Sequence, residues 1–216
     1  MRVPTGMAMR DAREQLFAAA ERVLLRDGAS ALTSRAVTTE AGCAKGVLHR
    51  HFSDFDAFLA ELVEDRIARL GARGAALHES VGTGTVAGNL TRALTDLFES
   101  VAVAVVGLVT SRDTLRARLR RTTPTGVPLL TEATTMIAAY LAAERTAGRI
   151  AAEADADTLA PTLVGAAHLL FADRTGTPPA PEDLHRVVTT VLAGAAGAAA
   201  TPEPSAGQAD PAGAGR

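Results

Sequence analysis

Apolar positions recur every three to four residues along most of the chain, and no stretch reads as a strand or an internal repeat. Leu16, Phe17, Ala20, Val23 and Leu24 make one stripe over residues 10–27, a first helix that Gly28 is placed to end. Thr33 stands as the N-cap of a second helix over 34–41, with Val37 and Ala41 inward, and Gly42 permits a tight turn after it. A short third helix follows over 44–51. Ser53 is expected to cap a fourth, with Asp54 and Asp56 in its positive first turn. Phe55, Phe58, Leu59, Leu62, Val63, Ile67 and Leu70 give that fourth helix an apolar side along its whole length. Helix, turn and short helix in this order are the plan of a helix-turn-helix, whose second helix fits the DNA major groove.

Beyond Gly71 further helices are expected over 86–109, 129–147, 155–172 and 182–199, with an Arg-rich stretch at 112–121 and Pro124, Gly126 and Pro128 as punctuation. Leu159, Leu163, Val164, Ala167, Leu170 and Phe171 line one side of the penultimate helix. Leu184, Val187, Val188, Val191, Leu192 and Ala195 do so on the last, after the turn TGTPPAP. Residues 1–9 carry no periodicity and read as a flexible arm; the Pro/Gly/Ala-rich residues 201–216 read as a disordered tail. The expected fold is all-α: a three-helix unit over 10–52, joined by the long fourth helix to a larger helical body over 53–200.

Composition supports that picture and narrows it. Hydrophobic residues are 47% of the chain and aromatics only 3%, so the core is built from Ala, Leu and Val, a bias towards helix. Cys43 is the single cysteine, which excludes an intrachain disulfide and fits a reducing compartment. No apolar run reaches the ~18–20 residues that span a bilayer, and residues 1–10 lack a signal-peptide h-region, so a cytoplasmic protein without a membrane partner is expected. The net charge of −2 is unevenly spread. Residues 1–52 hold 8 basic and 5 acidic residues, while the remainder carries the negative excess. The helix-turn-helix is the basic part, as a phosphate-facing module should be.

At 100° per residue, Leu48 and Phe52 point inward, Gly46 and Arg50 point outward, Lys45 and His49 share one flank, and Val47 takes the other. That face offers cations to phosphate or guanine, a methyl surface to thymine, and at Gly46 a close backbone approach. Ser34 and Arg35, in the first turn of the second helix, are placed to meet phosphate through free N–H groups. By spacing alone, a solvated polar face on a helical hairpin is an equal reading.

The order of segments separates the two. LFAAAERVLLRDGASALT, VTTEAG, CAKGVLHRHF and SDFDAFL, over residues 16–59, resemble the DNA-binding region of the tetracycline-repressor (TetR) family of bacterial regulators. The resemblance implies a candidate interface of Thr33, Ser34, Arg35, Ala44, Lys45, Gly46, Val47, His49 and Arg50. Two residues depart from the family pattern. His49 replaces a Tyr that typically reaches a phosphate, and Phe55 replaces a Lys near the start of the fourth helix, which removes one phosphate contact. The second departure is expected to weaken binding and flatten its salt dependence.

The same resemblance implies a ligand-binding and dimerisation role for the body, and a repressor that binds a pseudo-palindromic double-stranded operator as a homodimer until a small-molecule effector releases it. A helical dimeric interaction protein with weak or lost DNA binding is the alternative that the two departures keep open. Small residues beside the apolar stripes of the last two helices (Gly165, Ala166, Ala167; 193–200) suit close helix packing, either between two copies or within one. Phe98, Val105, Met136, Tyr140, His168 and Phe171 are the bulky or polar-tipped candidates for a pocket, with core packing as their other reading. Arg112, Arg116 and Arg120, at four-residue steps, are a candidate anion site or a solvated, salt-bridged face.

No catalysis, cofactor or metal is expected. His49 and His51 diverge on a helix, no second metal-ligand pair accompanies them and Cys43, and VGTGTVAG lacks the preceding strand of a phosphate loop.

Overall fold

The computed structural model describes the backbone of residues 5–172 and 179–197 and the side chains of 12–172 and 179–193. Its helices are α1 (Thr5–Asp27), α2 (Ser34–Glu40), α3 (Gly46–His51), α4 (Phe55–Glu79), α5 (Val86–Phe98), α6 (Ala102–Ser111), α7 (Asp113–Leu119), α8 (Leu130–Thr146), α9 (Ala156–Ala172) and α10 (Pro181–Gly197), with one 3-10 turn at Ala29–Ala31. No described residue is in a strand. The fold is all-α, a helix-turn-helix unit followed by a larger helical body.

Several boundaries move from their expected places. α1 starts at Thr5, so residues 5–9, expected in the arm, are helical; residues 1–4 lie outside the described residues. Asp54, and not Ser53, caps α4. Its extended backbone lets Oδ1 accept from the Ala57 N–H at 2.7 Å. α4 then runs through Gly71 and Gly74 to Glu79. The single helix expected over 86–109 is two, α5 and α6, bent by 57°. Ser100 holds the break: its hydroxyl donates to the Leu97 carbonyl at 2.5 Å and accepts from the Ala102 N–H at 3.3 Å. The expected tail at 201–216 lies outside the described residues, as do 173–178 of the turn before α10.

Two cores form. The first joins α1 to α4 through Leu16, Val23, Leu32, Val37, Leu48 and Leu62, and four of the chain's six phenylalanines belong to it. Phe17, Phe52 and Phe58 meet pairwise at 5.0–6.0 Å between centroids, and Phe55 stacks on Phe58 at 5.6 Å. Arg13 lies 4.6 Å above the Phe52 ring and pairs with Glu61, and Arg66 pairs with Glu21, so α1 and α4 are tied twice by charge. Burial raises the Glu21 carboxyl and lowers the Arg66 guanidinium. This core does not end at α4. Ala104, Val105, Leu108 and Val109 of α6 and Leu115 and Leu119 of α7 complete it.

The second core packs the far half of α4 with α5, α8, α9 and α10 through Leu77, Leu90, Leu94, Ile137, Leu163 and Val188. A buried polar chain crosses it. The Tyr140 hydroxyl donates to Glu144 Oε1 at 2.5 Å and accepts from Asn89 Nδ2 at 3.0 Å. Glu144, fully buried, pairs with Arg149 at 3.3 Å. Asn89 and Arg149 then hold the carbonyls of Ser80, Thr83 and Gly84 between α4 and α5. Burial and the neighbouring carboxylate push the Tyr140 phenol up to about 12. No single helix among the described residues is long and apolar enough to cross a membrane.

Removing Arg149 leaves the Glu144 carboxylate buried without its cation. Arg149→Ala is expected to cost about 3 kcal/mol in urea denaturation, and Tyr140→Phe about 1 kcal/mol. Equal stability of Arg149→Ala and wild type would show that this chain does not anchor the turn.

Candidate nucleic-acid interface and ligand clefts

The local geometry of α2 and α3 follows from a few residues. Thr33 Oγ1 accepts from the Ala36 N–H at 3.1 Å and starts α2. Its end is closed by paired bonds, Cys43 N–H to the Thr38 carbonyl (3.0 Å) and Gly42 N–H to the Thr39 carbonyl (3.1 Å), around Gly42 at φ 64. That is a Schellman closure, and it requires the left-handed conformation that glycine adopts without strain. Thr38 is buried and spends its hydroxyl on the Ser34 and Arg35 carbonyls. α3 then starts at Gly46 and anchors through Leu48, which has no exposed surface, and through Phe52 behind it.

With those two inside, Ala44, Lys45, Gly46, His49 and Arg50 are exposed together, as are Thr33 and Arg35. Ser34 is half-buried, its hydroxyl enclosed without a partner. Val47, expected on the outer flank, is half-buried and packs against the first core, which leaves only part of its surface to present. The charge pattern separates two sets of cations. Arg22 and Arg26 of α1 reach Glu40, and Arg26 also binds Asp27. Among the described residues no ion pair engages Arg35, Lys45 or Arg50. Phe55 has a different use from the lysine it replaces. Stacked on Phe58, it lies 5.5 Å beneath the Arg112 guanidinium.

The six candidate pocket residues do not converge. Val105 is wholly buried in the first core, between body and helix-turn-helix. Met136 and Tyr140 line a cleft of 580 Å³ between α4 and α8, with Glu132 and His78 at its wall. The Tyr140 hydroxyl is already committed to Glu144 and Asn89. Phe98, His168 and Phe171 form a separate aromatic group, with centroids 5.7 and 6.1 Å from Phe98. His168 belongs to the wall of another cleft, of 570 Å³, where α6 and the end of α9 meet the turn after α1. Gly107, Thr110, Ser111, Ser30 and Arg112 also line it. These small and hydroxylated residues carry no sequence signal of a pocket, because only packing brings them to one wall. The three arginines at four-residue steps separate: Arg112 binds Asp56 and the Leu32 carbonyl, Arg116 binds Asp113, and Arg120 stands exposed.

The small-residue faces of the last helices are partly as expected. Gly165 and Ala166 are half-exposed beside Leu169, which is 75% exposed, while Ala167 is turned fully into the core. Ala193 is exposed, and the side chains of 194–200 lie outside the described residues.

Comparison with known proteins agrees with this architecture. The profile of the bacterial regulatory proteins, tetR family, matches residues 16–62. No curated protein matches the chain. Among solved structures, a transcriptional regulator from Rhodococcus sp. Rha1 is 24% identical, with 86% of this chain and 96% of that one covered and a TM-score of 0.64. A member of the TetR family from Streptomyces coelicolor A3 is 23% identical over 84% of this chain and 98% of its own, with a TM-score of 0.59. The transcriptional regulator FadR from Bacillus subtilis, in complex with stearoyl-CoA, is 16% identical over 84% and 96%, also at 0.59. These likenesses carry the fold, and the matched profile falls on the helix-turn-helix described above. Residues 16–62 thus match the tetR family of bacterial regulatory proteins, and the chain as a whole shares the fold of these solved regulators.

Proposed function

We propose that the protein is a cytoplasmic, ligand-responsive transcriptional repressor that binds a pseudo-palindromic operator as a homodimer and leaves it when a small molecule occupies the body. The observation that carries this reading is the bare cationic face. Among the described residues Arg35, Lys45 and Arg50 are exposed and free of acid partners, while Arg22 and Arg26 of α1 are paired. An unpaired cation on a groove-sized helix is available to phosphate or to a guanine edge without first breaking an ion pair. In this reading Arg50, with Ala44, Gly46 and the exposed part of Val47, meets base edges. Lys45, His49, Thr33, Ser34 and Arg35 hold phosphates, the last three at the start of α2, where N–H groups lack helical acceptors.

A dimer supplies the second reading head that half-site recognition needs. The face offered for it is the outer side of α9, where Leu169 stands exposed beside Gly165 and Ala166, with α10 packed alongside. Small residues there let a second pair of helices approach closely. Effector control is supported by the clefts of the body. The FadR structure contains stearoyl-CoA, so this fold is compatible with a ligand.

Two measurements test the reading. In fluorescence anisotropy on the chain's own upstream duplex, Arg50→Ala is expected to weaken binding by about 1–3 kcal/mol, and Lys45→Ala to lower the salt slope by about 1. Both variants should melt like wild type, because neither side chain has a partner to lose. If wild type gives only weak, sequence-indifferent binding there and after random-site selection, the repressor reading fails in favour of a helical interaction protein. By sedimentation, Leu169→Glu is expected to move the protein from dimer to monomer, since burying each leucine contributes about 1.5–3 kcal/mol. An unaltered dimer would place the interface elsewhere.

A further inference from the structure

Arg112 stands at a junction. Its Nη2 donates to the Leu32 carbonyl at 3.0 Å, one residue before the Thr33 cap of α2. Its Nη1 is loosely paired with Asp56 at 3.6 Å, and its guanidinium covers Phe55. The same residue lines the 570 Å³ cleft between α6, the end of α9 and the turn after α1. The rest of that wall is apolar or hydroxylated: Val103, Val106, Thr110 and Ser111, with His168 at the α9 side.

Two further observations bear on what the cleft takes. Among the described residues no carboxylate lines it, and the acid that Arg112 pairs with, Asp56, stands outside. Its electrostatics therefore favour an anion. The α4/α8 cleft differs, with Glu132 in its wall and no Arg or Lys. Second, Nδ1 of His168 is enclosed without a hydrogen-bond partner among the described residues. An enclosed polar atom without a partner is rare enough to require a reason. A ligand group at the cleft wall supplies one, after a small turn of the ring. Desolvation lowers the His168 pKa and keeps the imidazole neutral at neutral pH, so it adds hydrogen-bonding capacity there without a second charge.

We propose that this cleft is an effector site for small apolar monoanions, a ring or branched chain bearing one carboxylate or sulfonate, and that occupancy draws Arg112 from the Leu32 carbonyl. The anionic group meets Arg112, the apolar body lies on Val103, Val106 and Gly107, and His168 closes the α9 side. The inference rests on the effector-controlled reading above for its purpose, but the site and its link to α2 are testable without DNA.

The probe is 8-anilinonaphthalene-1-sulfonate, titrated by fluorescence into the full chain, with N-phenyl-1-naphthylamine as its uncharged counterpart. A Cβ at Gly107 meets nothing within 4 Å, so Gly107→Phe fills the cleft without a backbone clash. Thr135→Trp fills the α4/α8 cleft as the control. One saturable site per chain is expected, weakened at least tenfold by Gly107→Phe and unchanged by Thr135→Trp. Arg112→Gln is expected to weaken the sulfonate by about tenfold or more, as for a lost charge-assisted hydrogen bond, and to leave the amine unaffected. Amide exchange in residues 28–36 should speed up when the sulfonate binds. Wild-type affinity in Gly107→Phe overturns the site. Equal binding of the two probes overturns the anion assignment. Unchanged exchange with the probe bound overturns the link to α2. Absence of duplex binding sinks the repressor reading and leaves these three results standing.

Discussion

The helix-turn-helix depends on apolar surface that it does not itself supply. A unit of about fifty residues buries too little to be secure alone. Here α6 and α7 close its core with Val105, Leu108, Val109, Leu115 and Leu119, all without exposed surface. The consequence is mechanical. Close-packed side chains do not yield gradually, so a shift of α6 is felt by α1 and α4 directly. Polar ties lie over the same seam, Arg112 to the Leu32 carbonyl and Asp56, and Arg118 to Asp54 at the cap of α4. Head and body share a core, and α4 is one of two connections between them.

Charge is distributed around that shared core with a consistent logic. Where helices must be held together, arginines are paired: Arg13 with Glu61, Arg66 with Glu21, Arg22 and Arg26 with Glu40. The exposed members of this set contribute little each, because water screens them, but they consume cations that would otherwise be free. Among the described residues of the unit, Arg35, Lys45 and Arg50 are left over, all three exposed. The small net positive charge of residues 1–52 therefore understates the asymmetry of the surface.

The head was legible in the sequence because its determinants are local. Thr33 caps α2 within three residues, Gly42 closes it within two, and the four-residue spacing of Leu48 and Phe52 fixes which side of α3 faces out. The body was legible only as helices. The apolar run 86–109 gave no periodic sign of its break, which Ser100 makes by competing for the Leu97 carbonyl. Tyr140 reads in the sequence as one polar-tipped pocket candidate among six, but its partners Asn89 and Glu144 are read only once α5 and α8 have packed. Val105 looked like any pocket valine until α6 turned it towards the head. The departure at Phe55 is the sharpest case. Against the family pattern it is a lost phosphate contact; in the structure it is the ring on which Arg112 rests.

That exchange of a cation for a ring changes how control can be exerted. A lysine at position 55 would stand close to Arg112 and repel it, whereas the Phe55 face attracts the guanidinium and leaves Nη2 aimed at Leu32. A hydrogen bond from a charged donor contributes about 1.5–3 kcal/mol, the range in which coupling between two sites usually falls, about 1–3 kcal/mol. One residue can thus carry most of the free energy needed to link a cleft beside α6 to the first turn of α2. Linkage also requires the reverse. A head held firmly on its duplex would keep Arg112 on Leu32 and weaken whatever anion competes for it, by the same factor.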